Sequence, residues 1–171
     1  MIRERISYRK VKRREHLLRT GEICRHYTFV VKGVLRMYGI DRNGKDHNIL
    51  FASENEWLSD ISSFHATQPG ESNIQAIELT EVIQIEQQDL YHLYNNIPKL
   101  DRIFKVITEE KYVELQNRVF QSISSTAQER YLYFLSKYPS LGSRLPNTQI
   151  ASYLGITPEF LSMIRKELAS K

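Results

Sequence analysis

Four side chains near the C-terminal end are suited to reading the edges of nucleic-acid bases: Glu159, Ser162, Met163 and Lys166. At about 100° per residue they share one face of a helix, opposite Leu161, Ile164 and Leu168. A carboxylate such as Glu159 can accept from cytosine N4, and Lys166 can reach a guanine edge or a phosphate. Met163 offers an apolar surface to a thymine methyl. Arg165 sits on the flank of that face, nearer the buried side. Thr157 and Pro158 open the same helix. Asn147, Thr148 and Gln149 open the helix before it, where phosphates would lie.

Such a face works only if two short helices hold it at a fixed angle. Ile150, Ala151 and Leu154 form the apolar side of the first helix, and Ala151 is small where the helices must approach closely. Gly155 can turn left-handed without a Cβ penalty. Ile156 fills the angle, Thr157 is an N-cap, and Pro158 stands at the first helical position, where its missing N–H costs nothing. This is a helix-turn-helix, whose second helix enters the DNA major groove. A hairpin that docks on protein instead uses the same pattern.

Upstream, a β-rich region runs from about Arg9 to Ile85. Residues 1–8 are too short and too polar to form a domain. Tyr27–Val31, Val34–Tyr38 and His47–Phe51 read as strands, and Asn43-Gly44 as the hairpin turn between the last two. Residues 52–72 read as loop with a short helix at Leu58–Phe64. Two more strands follow at Ile74–Leu79 and Glu81–Ile85. Short strands with regular turn signals imply a sandwich or barrel. Helical periodicity then takes over in Gln87–Asn95, Lys99–Ser122 and Thr126–Lys137. The Lys99–Ser122 helix carries more apolar residues than one packed face needs and would be about 36 Å long, which suits a dimer spine.

Charge is unevenly placed. The formal net charge of +4 divides into +6 over residues 1–20, −5 over 21–124 and +3 over 125–171. An acidic middle and a basic C-terminal part suit a sensor joined to a DNA reader. The basic run Arg9–Arg14 could touch nucleic acid, but such a run is more often a solvated strand or loop face, and it is read as one. The single cysteine, Cys24, leaves no internal disulfide and reads as a small buried hydrophobe. His16, His26, His47, His65 and His92 are scattered as surface or loop residues are. No apolar run spans a membrane, no signal peptide opens the chain, and no P-loop, GxGxxG, nucleophile elbow or HExxH occurs. The expectation is a cytoplasmic protein that is not an enzyme and needs no metal or cofactor.

The order of elements resembles the Crp/Fnr family of bacterial transcription regulators. The resemblance rests on Leu18–Glu22, Phe29–Arg36, Gly44, Trp57–Phe64 and the helix-turn-helix. The wording Ile156–Ser162 looks most like the branch found in Bacteroidetes-type bacteria. It implies an α+β chain. An antiparallel β-roll of the cyclic-nucleotide-binding jelly-roll type would occupy residues 1–97, a long dimerisation helix 98–123 and the helix-turn-helix domain 124–171. It implies a homodimer, double-stranded inverted-repeat DNA and RNA polymerase as partners. An effector site is implied at Ser59, Asp60, Ile61, Gly70 and Glu71. There the family's Gly-Glu pair corresponds to Ser59-Asp60, and its Arg-Ser pair to about Gly70-Glu71. No Arg or Lys occurs between Glu54 and Asn73, so a phosphodiester would meet Glu71 with no cation. The roll is therefore expected not to bind cyclic AMP. A remodelled phosphate site is the alternative.

Overall fold

A computed structural model describes residues 2–170. Among them the strands are β1 (Ile6–Val11), β2 (His16–Leu18), β3 (His26–Lys32), β4 (Leu35–Ile40), β5 (Asp46–Ala52), β6 (Trp57–Leu58), β7 (Asn73–Ala76) and β8 (Thr80–Glu86). The helices are α1 (Ile61–Ala66), α2 (Gln87–Asn96), α3 (Pro98–Ser124), α4 (Ala127–Lys137), α5 (Leu141–Arg144), α6 (Asn147–Leu154) and α7 (Pro158–Ala169). The chain divides after Asp101 into two compact units, so α3 runs through the boundary.

The first unit is a roll of two four-stranded antiparallel sheets, ordered β1-β8-β3-β6 and β2-β7-β4-β5. Val30, Val34, Leu35, Ala52, Ala76 and Val82 are fully buried in its core. The β4–β5 hairpin forms because Asp41 Oδ1 accepts from the backbone N–H groups of Asn43 and Lys45, while Gly44 takes φ 79°. A hydrogen bond from His47, with those amides, lowers the Asp41 carboxyl to about 2. Gly33, at φ 100°, lets β4 leave β3 against β8. A Cβ there would lie 2.6 Å from Thr80 Oγ1 and 2.8 Å from Leu79 O.

Three local expectations differ from what forms. β1 begins at Ile6, before the anticipated β region, because residues 6–11 pair with β8 from Ile6↔Ile85 to Val11↔Thr80. Pairing with a neighbour overrides a polar local sequence. Leu58, expected to start a helix, lies instead with Trp57 in a short strand held by Thr28↔Leu58 and Phe29↔Trp57, and the helix starts at Ile61 after the Asp60 cap. The strand expected over Ile74–Leu79 ends at Ala76, where Ile77 N–H turns to Val34 O.

The second unit packs α4 to α7 and the later turns of α3 around Phe134, Leu141, Ile150, Ala151, Leu161 and Ile164. Phe134, Tyr138 and Tyr153 form a mutually contacting ring cluster, with centroids 5.4–6.3 Å apart. Thr126 and Glu129 form a reciprocal capping box that starts α4. Two side chains tie α3 to this core. Glu114 is only 6 % exposed; its Oε1 accepts from Tyr138 Oη at 2.5 Å, and its Oε2 lies 3.3 Å from both Lys111 Nζ and Lys137 Nζ. Arg118 lies over the Tyr153 ring at 3.9 Å and donates to Tyr153 O at 2.9 Å. Burial alone would raise the Glu114 carboxyl. The Tyr138 hydroxyl and the two lysines more than offset it, and the net direction is down.

Gly33→Ala should destabilise the protein by about 2–4 kcal/mol, through left-handed strain and the Thr80 overlap. In urea titrations the midpoint should fall with little change in slope. Glu114→Ala should cost about 1–3 kcal/mol, the scale of hydrogen bonds to a charged group. Because the folded Glu114 is the stronger acid, its contribution is present above the unfolded carboxylate pKa and is lost as pH falls through the folded one. The stability of Glu114→Gln should therefore decline less steeply in acid than that of the unaltered protein, as thermal unfolding scans across acidic pH would measure.

Candidate nucleic-acid interface and effector site

The second unit presents α7 on a rigid turn. Gly155 takes φ 69°; Ile156 N–H donates to Ala151 O at 3.0 Å and Gly155 N–H to Ser152 O at 3.3 Å, which closes α6 in a Schellman motif. Thr157 Oγ1 accepts from Phe160 N–H at 3.2 Å, and Pro158 opens α7. Leu161 and Ile164 turn inward and are buried. Glu159, Ser162, Met163 and Lys166 are exposed, Met163 by 57 % of its surface.

The remaining residues of the face take distinct places. Ser162 Oγ donates to Pro158 O and accepts from Asn147 Nδ2 at 3.4 Å, which joins the start of α6 to α7. Thr148 is exposed, and Asn147 and Gln149 are half-buried beside it in the chain. Arg165 uses its guanidinium internally: Nε donates to Tyr131 Oη at 2.9 Å and another nitrogen to Gly142 O at 3.0 Å. It braces α7 against α4 and α5. Phe160 was not singled out from the sequence, yet it is 45 % exposed beside Glu159. Its angular position, about 100° from Glu159, already placed it at the edge of the outer face.

In the roll, two of the five residues anticipated around an effector, Asp60 and Gly70, come into contact. Asp60 caps α1: its Oδ1 accepts from Ser63 N–H at 3.1 Å. Its other carboxylate oxygen rests against Gly70, where a Cβ would come within 2.6 Å of it. Gly70 is held by both backbone groups, accepting from Gly21 N–H at 2.8 Å and donating to Glu22 O at 3.1 Å. Ser59 Oγ donates to His26 O at 3.2 Å and lies 3.3 Å from Cys24 Sγ. Ile61 and Glu71 are exposed. A carboxylate thus stands at the start of α1, where an anion would need donors, and it is used to close the α1 turn. From the other side, Gln87 Nε2 donates to Phe64 O at 2.6 Å, and His65 Nδ1 lies 2.6 Å from Tyr91 Oη.

A hollow of about 440 Å³ opens beside these residues, over Leu18, Cys24, Arg25, His26, Thr28 and Gln84 among others; Cys24 and His26 are the residues that Ser59 touches. None of the five anticipated effector residues lines it. Gln84 Nε2 donates to Thr28 Oγ1 at 3.1 Å on its buried floor. Burial, with Arg9 and Arg25 assisting and Glu86 opposing, pushes the His26 imidazole below its usual value. The strand alternation could have flagged Thr28 and Gln84 as inward polar residues; the loop residues Cys24 and Arg25 carried no such signal.

The second unit shows a further hollow of about 540 Å³ along α3, beside Val106, Glu110, Val113 and Tyr133. Around α3 the side chains of Ile103, Val106, Tyr112, Val113, Leu115, Val119, Phe120 and Ile123 are exposed, Phe120 by 69 %.

Residues 8–96 match the family model described as the cyclic nucleotide-binding domain. No curated protein matches the chain. Among solved structures, FixK2 from Bradyrhizobium japonicum is similar with a TM-score of 0.82 at 18 % identity, over 96 % of this chain and 85 % of that one. A CooA mutant from Carboxydothermus hydrogenoformans has a TM-score of 0.80 at 13 % identity, over 99 % and 78 %. A protein from Eubacterium rectale assigned to the Crp/Fnr family of transcriptional regulators has a TM-score of 0.74 at 14 % identity, over 99 % and 81 %. The two-sheet roll, with its capped α1 and the match over residues 8–96, places this chain in the cyclic nucleotide-binding domain family, and its fold is that of the Crp/Fnr transcription regulators.

Proposed function

We propose that this protein is a sequence-specific DNA-binding transcription regulator that works as a homodimer and is not an enzyme. The observation that carries the reading is α7. It is capped and braced on its buried side, and its outer face presents Glu159, Phe160, Ser162, Met163 and Lys166 to solvent. Glu159, Met163 and Lys166 are the base readers. Ser162 links α7 to Asn147, and Thr148, Gln149, Thr157 and Pro158 sit where phosphates approach. Arg165 acts by position, holding α7 in place. The roll, residues 1–97, is the sensor, 98–123 the dimerisation helix and 124–171 the reader. A cytoplasmic protein that meets RNA polymerase at promoters is the setting this implies.

The exposed apolar residues of α3 support pairing of two chains along it. Val106, Val113 and Phe120 recur every seven residues, the spacing of a coiled-coil seam. The carboxylate at α1 and the cation-free segment from Glu54 to Asn73 support a roll that does not take cyclic AMP. Its effector would be another small molecule or a protein.

Selection of sites from a random DNA library should return an inverted repeat with half-site centres about 34 Å apart. Within a half-site, Glu159→Ala should relax preference at one base pair by about 1–3 kcal/mol, while Lys166→Ala should weaken binding. If neither variant alters affinity or preference, α7 does not face DNA, and a protein-docking hairpin is the better account. Placing glutamates at Val113 and Phe120 should yield monomers in sedimentation experiments; a stable monomer before mutation would refute the dimer. Calorimetry should detect no cyclic AMP binding at micromolar concentrations. A micromolar dissociation constant abolished by Asp60→Ala would reverse that conclusion.

A further inference from the structure

The cations at the start of the roll fall into two groups. Arg5 pairs with Asp89, Arg9 with Glu15 at 2.6 Å, and Lys10 with Glu81 at 3.8 Å. The next three, Lys12, Arg13 and Arg14, occupy the turn between β1 and β2, are all exposed, and make no ion pair among the described residues. The neighbouring carboxylate, Glu15, is already committed: Oε1 accepts from Arg9 and Oε2 from the backbone N–H of Lys12. Arg19, just past β2, is also exposed and unpaired among the described residues, within about 17 Å of Arg14 along the strand.

The turn is built rather than loose. Arg14 stands at φ 67°, a region that disfavours a residue with a long side chain. Arg14 N–H donates to Ala76 O at 2.8 Å, and Arg14 O accepts from Gln75 Nε2 at 3.0 Å. Asn or Gly would fill that conformation at less cost. The structure thus keeps an arginine, and two basic neighbours, on a backbone fixed by β7.

We propose that Lys12, Arg13 and Arg14 form a second nucleic-acid contact, which neutralises backbone phosphates of duplex DNA. This rests on the DNA-binding reading above and adds a site on the sensor roll. Exposed cations without carboxylate partners are what phosphate contacts require, and such contacts need no apolar core. A protein partner would need one. No exposed large hydrophobic residue occurs between Tyr8 and Val31, the stretch that carries these cations.

The test compares the full-length protein with the triple variant Lys12→Gln/Arg13→Gln/Arg14→Asn, in which Asn retains the left-handed turn. A control variant, Arg42→Gln/Lys45→Gln, removes exposed cations from the β4–β5 turn. Affinities are titrated over a series of salt concentrations on a long duplex containing a selected site and on a random-sequence duplex of equal length. The triple variant should lose about 2–3 units per chain from the slope of log affinity against log salt on both duplexes. Its affinity near physiological salt should drop by roughly a hundredfold per chain, the loss that this slope change gives at about 0.15 M salt. The control should match the unaltered protein. Equal slopes for all three proteins would overturn the proposal. So would a triple variant that binds DNA normally but fails to support transcription by purified RNA polymerase, since that assigns the turn to a protein contact. If the unaltered protein prefers no sequence, the regulator reading falls separately, while the random duplex still decides the role of the turn.

Discussion

The buried carboxylate of Glu114 joins α3 to the core of the second unit. A charge at 6 % exposure is costly unless it is paired and hydrogen-bonded. Here the phenol of Tyr138 and the two ammonium groups of Lys111 and Lys137 meet that requirement from α3 and from α4 and its C-cap. Tyr138 in turn meets Tyr153 edge-on and Phe134 at a tilt, and Tyr153 carries Arg118 on its face. A polar contact between helices therefore continues, without a gap, into the aromatic core beneath α6. Arg130 adds a second line, donating to Ser125 O and Leu154 O, and Arg165 a third, joining α7 to Tyr131 and Gly142. Three arginines and one glutamate, all turned inward, set where the exposed face of α7 points.

The roll makes the opposite use of a carboxylate. Asp60 lies at the start of a six-residue helix, where a bound phosphate would need unoccupied amides and a nearby cation. Asp60 accepts the amide of Ser63 itself, and its other oxygen fills the space beside Gly70. An internal anion thus holds closed the turn that an external one would have to open. The aromatic contacts Tyr27–Phe64 and His65–Tyr91 fix the same helix from outside, at centroid distances of 5.6 and 6.1 Å. Strand pairing in the two sheets and the apolar core of Val30, Val34, Leu35, Ala76 and Val82 carry the rest of the roll.

The features legible in the sequence were those whose cause is local. The left-handed Gly155, the Thr157 cap, Pro158 and the inward Leu161 and Ile164 follow from residue type and helical period alone. The same holds for the Asn43-Gly44 hairpin. β1 and β6 were missed because their strands exist only through distant partners, β8 for one and β3 for the other. Arg165 looked like a flank residue open to a ligand; only the placement of Tyr131 and Gly142 shows how its donors are used. Glu114 carried no signal of its own in the sequence, since nothing nearby in the chain marks Tyr138 as its partner. The hollow over Cys24, Arg25 and His26 was hidden for the same reason: its walls come from β2, β3, β7 and β8 together.

Near the N-terminus, carboxylates from β8, α2 and the β1–β2 turn take up Arg5, Arg9 and Lys10, and the same strands leave Lys12, Arg13 and Arg14 to solvent. Surface pairs of this kind contribute little to stability, so the sorting matters mainly for which cations remain able to attract an anion. In the second unit, Lys111 and Lys137 are tied to Glu114, and Arg118, Arg130 and Arg165 donate to backbone carbonyls. These charges still add to the positive field around α7, but their side chains are fixed by internal bonds. Lys166 differs: it is exposed on α7, with no such bond among the described residues. A field shared by many fixed cations draws DNA without regard to sequence. On the DNA-binding reading proposed above, discrimination would rest on the few side chains of α7 that keep their donors and acceptors free for a partner: one lysine, one glutamate and two apolar side chains.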